Sequence, residues 1–301
     1  MGEIETIKRT LYYYYLYGEK KPAKKYQLPK DLRKNFLDSI QQILKKDKND
    51  RKKDIKTKKK ILYLEDVQYN EDDDIIFMEF ISAKYSNIRR VVNTKTLEEQ
   101  EEKKKNKEEG DEESICLGVK FDEEGQEAIC LYEYNKDAIG FAIIINYLNQ
   151  AILEVHKELD DGIGYKLITH QKVSTDFIKA LEKTEKIKAV KITIDSQDLT
   201  ASEIKELSGR ADLSDDIDIV YKPSGVKIAK NTVKDFFKIY KSPKRKIKRV
   251  YVDSTYDSGI PLCFDTEKMR EKEVIDVEVH VSGEVKKEDL FNQMKGFLLG
   301  S

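Results

Sequence analysis

Tryptophan is absent from this 301-residue chain, and cysteine occurs three times, as Cys116, Cys130 and Cys263, without CxxC spacing. So sparse and odd a set argues against a disulfide scaffold or a cysteine zinc site and fits a reducing, cytoplasmic setting. Histidine is equally scarce. His156, His170 and His280 stand far apart, none at metal-ligand spacing to another histidine or a cysteine, and each reads as a surface or strand histidine. Long apolar runs are missing too. The longest, Ala138 to Leu153, is interrupted by Asn146, Asn149 and Gln150. It falls short of the roughly 20 residues that span a bilayer, so it reads as a buried helix, and no secretory leader pattern starts the chain. GxSxG, a P-loop and a Cys/His nucleophile pattern are all lacking. Gly162-Ile163-Gly164 follows a helix rather than a strand and reads as a joining turn. The expectation is therefore no catalytic residue, no metal and no cofactor.

What the chain does have is charge. Charged residues make up 38% and hydrophobic ones 39%, and 56 Lys+Arg against 57 Asp+Glu leave a formal net charge of -1. Against that balance, residues 221–251 carry 11 cations and one acid, Asp235. The stretch reads as a strand (217–221), a turn at Pro223-Ser224-Gly225, and an amphipathic helix. Val233, Phe236, Phe237 and Tyr240 share one side of that helix; Lys230, Lys234, Lys238 and Lys241 share another. The lysine stripe is about 16 Å long, and a packed apolar face beside such a stripe suits a duplex phosphate backbone. The predicted contacts to double-stranded DNA are Lys227, Lys230, Lys234, Lys238, Lys241, Lys244, Arg245, Lys246, Lys248 and Arg249.

Two other function classes remain. Asp215, Asp216 and Asp218 precede Lys222, a pattern compatible with a metal-dependent nuclease, although Asp216 and Asp218 also alternate with Ile217 and Ile219 as solvent-facing strand residues do. The charged segments 45–60 and 97–114 equally suit a protein-interaction or inhibitor module without DNA binding. Segment 45–60 holds ten cations against Asp47, Asp50 and Asp54, and reads as a solvated loop or a second positive patch. The four tyrosines Tyr12 to Tyr15 fit strand packing better than base stacking.

Alternating strands precede the long helix at 137–158, and strand–helix units follow it. The expected class is α+β: a mainly antiparallel sheet domain with a central apolar helix, plus a smaller ferredoxin-like α/β sandwich. The expected divisions are 1–159, 160–243 with the basic helix, and 244–301, whose strands and helix pack back on the first domain.

The order of TLYYYYLYGEKK, NFLDSI, ILYLEDVQYNEDDDIIFMEF, LGVKFDEEGQEAICLYEYNKDAIGFA, GYKLITHQKVSTDFIKALEKTEKIKAVKITID and DIDIVYKPSGVKIAKNTVKDFF resembles the RexA-like phage exclusion family. The chain is also broadly similar to KwaB of the Kiwa antiphage system. The resemblance implies a homodimer that binds DNA mostly without sequence preference, senses phage infection and signals to a small multi-spanning membrane partner. It implies no active site.

Overall fold

The computed structural model describes residues 5–22, 26–85, 95–96, 110–172, 174, 176–195, 216–225, 228–241, 247–255 and 261–300. From Ile75 to Ser82 the sequence is apolar at nearly every position, as a strand must be when both of its faces are covered. This stretch forms β4 (Ile75–Lys84), whose first eight residues are buried. Strand alternation sends Ile76, Met78 and Phe80 into one core and Ile75 and Phe77 into another.

Around β4 lie β1 (Thr6–Lys20), β2 (Lys53–Ile55), β3 (Lys60–Asn70), β5 (Asp111–Phe121), β6 (Glu127–Tyr134), β7 (Tyr165–Gln171) and β12 (Lys272–Glu278). Their order is β12-β1-β6-β5-β4-β3-β2, with β7 also paired to β1. The pairs from β1 through β6 to β2 are antiparallel. The β5–β6 hairpin turns at Gly125, whose φ of +69° suits glycine, while Asp122 accepts from the Gln126 N–H at 2.8 Å. The chain is thus α+β with a mainly antiparallel sheet, as its alternation predicts.

Two helices cover one face of this sheet. In α1 (Leu32–Lys45), Asp31 caps the first turn by accepting from the Lys34 N–H at 2.9 Å. The four-residue recurrence of Leu32, Phe36 and Ile40, with Ile43, lies buried against α3 (Phe141–Leu159) and the sheet. The β-branched run Ile143–Ile145 disfavours helix locally, but burial of Ile144 and Ile145 outweighs that preference. The opposite face is covered by α6 (Lys287–Leu299), through Leu290, Phe291, Met294 and Leu298. The tyrosine run serves packing. Tyr13 is buried toward α6, and Tyr14 stacks on Phe141 with ring centroids 3.8 Å apart.

The second unit has its own sheet: β8 (Lys186–Asp195), β9 (Asp216–Tyr221), β10 (Ile247–Thr255) and β11 (Pro261–Asp265), in the order β11-β10-β8-β9. Every neighbouring pair is antiparallel. Helices α4 (Asp176–Glu182) and α5 (Lys230–Lys241) share a core with it, centred on Phe177, which stacks on Phe237 at 4.6 Å. This order departs from the ferredoxin-like expectation. That topology inserts the first strand of a β-α-β-β-α-β run into the sheet, whereas here β7 pairs with β1 and β10 lies directly on β8.

The chain divides into Met1–Thr169 with Glu273–Ser301, and His170–Lys272. The expected division at 243/244 lies instead at 272/273, because β10 and β11 complete the second sheet. Segment 45–60, read as a loop, contains a short helix α2 (Lys48–Arg51), the strand β2 and a 3-10 turn at Lys56–Lys58. The helix expected at 202–208 and most of the charged stretch 97–114 fall outside the described residues.

Phe177 is fully buried, so Phe177→Ala is expected to cost roughly 3–5 kcal/mol. Urea unfolding followed by circular dichroism measures it, and a loss below about 1 kcal/mol would contradict this packing.

Candidate nucleic-acid interface

Helix α5 presents two faces. Val233, Phe237 and Tyr240 are buried in the core of the second unit, with Phe236 half-buried beside them. That seating leaves the four-residue spacing of Lys230, Lys234 and Lys238 on the side that flanks the core-facing stripe, Lys230 and Lys234 half-buried and Lys238 exposed. Two of these lysines converge on the last residue of α4. Lys230 Nζ donates to the main-chain oxygen of Glu182 at 2.7 Å, and Lys234 Nζ pairs with the Glu182 carboxylate at 2.6 Å. The hydrogen bond and charge of Lys234, with Lys230 nearby, hold the Glu182 carboxyl below its ordinary value. Lys238 is 80% exposed and lies 3.7 Å from Asp235. Lys241 closes the helix.

Of the other predicted contacts, Lys248 and Arg249 are among the described residues, and both pair with acids. Lys248 ion-pairs with Asp216 at 2.6 Å. On β10, Val250 and Val252 turn toward the helices, so alternation sends Arg249 to the opposite face of the sheet. There it bonds Asp265 at 2.9 Å and Glu267 at 3.2 Å. Burial pushes the Asp265 carboxyl up. The hydrogen bonds from Arg249 and the Lys268 N–H outweigh that and leave it below its ordinary value. Arg249 therefore holds β10 to β11 and the turn after it. Lys227, Lys244, Arg245 and Lys246 lie outside the described residues.

The acidic approach to α5 is similarly engaged. Asp218 accepts from Thr193 Oγ1 at 2.7 Å and ion-pairs with Lys191 at 2.7 Å, bonds that draw its carboxyl down. Asp216 holds Lys248, and Asp215 lies outside the described residues. Among the described residues, no group of three or more His, Cys, Asp or Glu side chains converges as metal ligands would.

Two polar clusters had no motif to reveal them. His156, expected at a surface or in a strand, is buried in α3. Its Nδ1 lies 2.7 Å from Asp161 Oδ2, and its Nε2 lies 3.2 Å from Ser39 Oγ. The outline is that of a Ser–His–Asp triad. However, Ser39 Oγ donates to the Asn35 carbonyl at 2.7 Å and is itself buried. A nucleophile needs a proton shared with the base and room for a substrate; this cluster instead ties α1 to α3.

The second cluster lies under one end of α6, in a cleft of about 700 Å³ whose lining includes Arg9, Glu79, Cys116, Glu133 and Lys287. Glu133 ion-pairs with Arg9 at 3.1 Å and accepts from the Cys116 N–H at 3.0 Å. Burial nevertheless pushes its carboxyl up to about 7, opposed by Arg9 and that N–H. Glu79 accepts from Ser114 Oγ at 2.8 Å and ion-pairs with Lys287. The signal for both was a lone glutamate inside an apolar strand, in IIFMEF and ICLYEY.

Two outcomes follow from these pairings. Arg249→Ala strips Asp265, 1% exposed, of its charged partner, at a cost of roughly 1–3 kcal/mol at neutral pH. Because the folded-state carboxyl is depressed, that contribution is present above the ordinary Asp value of about 3.9 and fades as pH falls below it. Unfolding measured at pH 7 and pH 3 is expected to show a gap between wild type and variant that narrows in acid. Glu133 has the opposite sign. Its raised carboxyl favours the fold most below the ordinary Glu value of about 4.3, and that advantage is lost as pH rises through about 7. Glu133→Gln is expected to flatten the fall in stability between pH 5 and pH 8; an unchanged slope would refute the assignment.

No protein-family model and no curated protein sequence matches this chain.

Proposed function

We propose that this protein binds duplex DNA through its phosphate backbone, largely without sequence preference, with α5 as the contacting element. One observation supports this most directly: α5 buries Val233, Phe237 and Tyr240 while Lys230, Lys234 and Lys238 line an adjoining side. Packing fixes the orientation of the helix, so the cations are presented as a row. The ion pair of Lys234 with Glu182 is no obstacle. Exposed pairs are worth about 0–1 kcal/mol, and phosphate contacts gain from counterion release. Glu182 acts in the free protein as a stand-in for a phosphate.

The resemblance to the RexA-like family extends the proposal. The protein is a homodimeric DNA-binding component of a phage exclusion system, cytoplasmic, and coupled to a small multi-spanning membrane partner at the inner face of the membrane. No helix among the described residues is long and apolar enough to cross a membrane itself, which is compatible with a separate membrane partner. Arg249, on the other face of its sheet and paired with the buried Asp265, is left out of the contact set; Lys248, whose pair with Asp216 is as exposed as that of Lys234 with Glu182, stays in it.

The test is duplex binding across a salt series. Replacing Lys234 and Lys238 together by Glu is expected to weaken binding at least tenfold for any duplex sequence. It should also reduce the slope of log K against log salt by about 1.8, at roughly 0.9 per phosphate contact. Equal affinity of wild type and variant at low salt would overturn the assignment to α5. Cleavage of the duplex on adding Mg²⁺, abolished by Asp216→Ala or Asp218→Ala, would replace it with a nuclease. Tight protein capture with no salt-sensitive duplex binding would replace it with an interaction module.

A further inference from the structure

Among the described residues, Arg51 has two buried guanidinium nitrogens that the fold leaves without an acceptor. It ends α2, and it shares a cleft of about 200 Å³ with Lys46, Lys52 and Lys53, walled by Tyr147, Gln150 and Ala151 of α3. Its Nε and Nη1 are buried and have no hydrogen-bond partner among the protein's groups. The one N–H of Nε and the two of Nη1 therefore meet no acceptor, although an unmet charged donor is expensive to bury. The backbone around it is nonetheless well held, since the Tyr147 hydroxyl donates to the Arg51 carbonyl at 2.9 Å and the Leu64 N–H donates to that hydroxyl at 3.2 Å. The guanidinium thus sits on a fixed main chain.

The surroundings choose the sign and size of what would satisfy it. Lys46, Arg51, Lys52 and Lys53 face Asp50 and Glu154 in the lining. Lys46 is shared with Glu158, which lies outside the cleft, at 2.6 Å. Lys53 reaches Gln150, and burial pushes its ammonium down, with Glu154 only partly restoring it. The lining keeps one or two positive charges in excess. A phosphate monoester, at about −1.5 to −2, balances that excess more fully than a carboxylate does. The volume is below the ~300–1,000 Å³ of sites that enclose a whole drug-sized ligand, so the cleft takes the phosphoryl group and leaves the rest of its carrier outside.

We propose that Arg51, with Lys52 and Lys53, forms a phosphoryl-group pocket between α2, β2 and α3. The phosphate can belong to a small molecule or to a nucleic-acid backbone, and the recognition chemistry is the same. Arginine suits it because a planar fork of donors matches phosphate oxygens, which a lysine ammonium cannot reproduce.

The experiment is calorimetric titration of the full chain with inorganic phosphate, at ionic strength held constant with chloride. Wild type is expected to bind one phosphate per chain. Arg51→Leu should abolish that binding while folding normally, because its main-chain bonds to Tyr147 do not involve the side chain. Arg51→Lys should weaken it at least tenfold, and Lys52→Glu at the exposed mouth should weaken it with no risk to the fold. Equal phosphate binding by wild type, Arg51→Leu and Lys52→Glu would overturn the pocket, as would no saturable binding up to 10-fold above the protein concentration in the millimolar range. Competition then separates the carriers. Displacement by a nucleoside monophosphate but not by the nucleoside assigns a small molecule, and displacement by duplex DNA assigns the backbone. Replacing Lys234 and Lys238 by Glu should leave phosphate binding unchanged, so failure of the pocket and failure of the α5 interface give different results.

Discussion

The double burial of β4 is the constraint on which the larger unit depends. Ile76, Met78 and Phe80 are covered by the α1–α3 layer, and Ile75 and Phe77 by α6. Each such side chain contributes roughly 1.5–3 kcal/mol when fully buried, and no neighbouring strand can slip by one residue without exchanging the two cores. That register also forces Glu79, next in the alternation after Phe77, into the α6 side. There Ser114 and Lys287 must satisfy it. The deep polar cluster around Glu79 and Glu133 is a consequence of the same alternation that builds the core.

Charge is distributed by a different logic. With 56 cations and 57 anions, counter-ions are plentiful, and three pairs form across strands of the second sheet: Lys191 with Asp218, Lys248 with Asp216, Arg249 with Asp265. Two places among the described residues depart from that balance. On α5, an apolar face on one side leaves lysines accumulating beside it, held among the described residues by Glu182 and Asp235. In the cleft at Arg51, the main chain is anchored while the guanidinium is not. An excess of one charge on a rigid element is the physical feature that most favours an oppositely charged partner.

The amphipathic character of α5 was legible because helical periodicity is local: Val233, Phe237 and Lys234, Lys238 declare their faces from spacing alone. The hairpin at 122–125 and the alternation of β8 were legible for the same reason. The grouping of Arg249 with the lysine stripe was not sound, because strand alternation on β10 carries it to the other face of the sheet. Nothing near Arg249 in sequence announces that its partner is Asp265. His156 likewise gave no signal, since Ser39 and Asn35, on another helix, are what bury and bond it.

The amino-acid sequence by itself determined the α+β class, the position of most helices and strands, and the lysine face of α5, all of which rest on periods of two or 3.6 residues. Only the tertiary structure decided which sheet each strand joined. It placed β10 on β8 and β7 on β1, and so moved the division between units to 272/273. It also decided which charges became structural and which stayed available. Those choices depend on pairings between residues far apart in the chain, whose free energy comes from burial and partner geometry rather than from local preference.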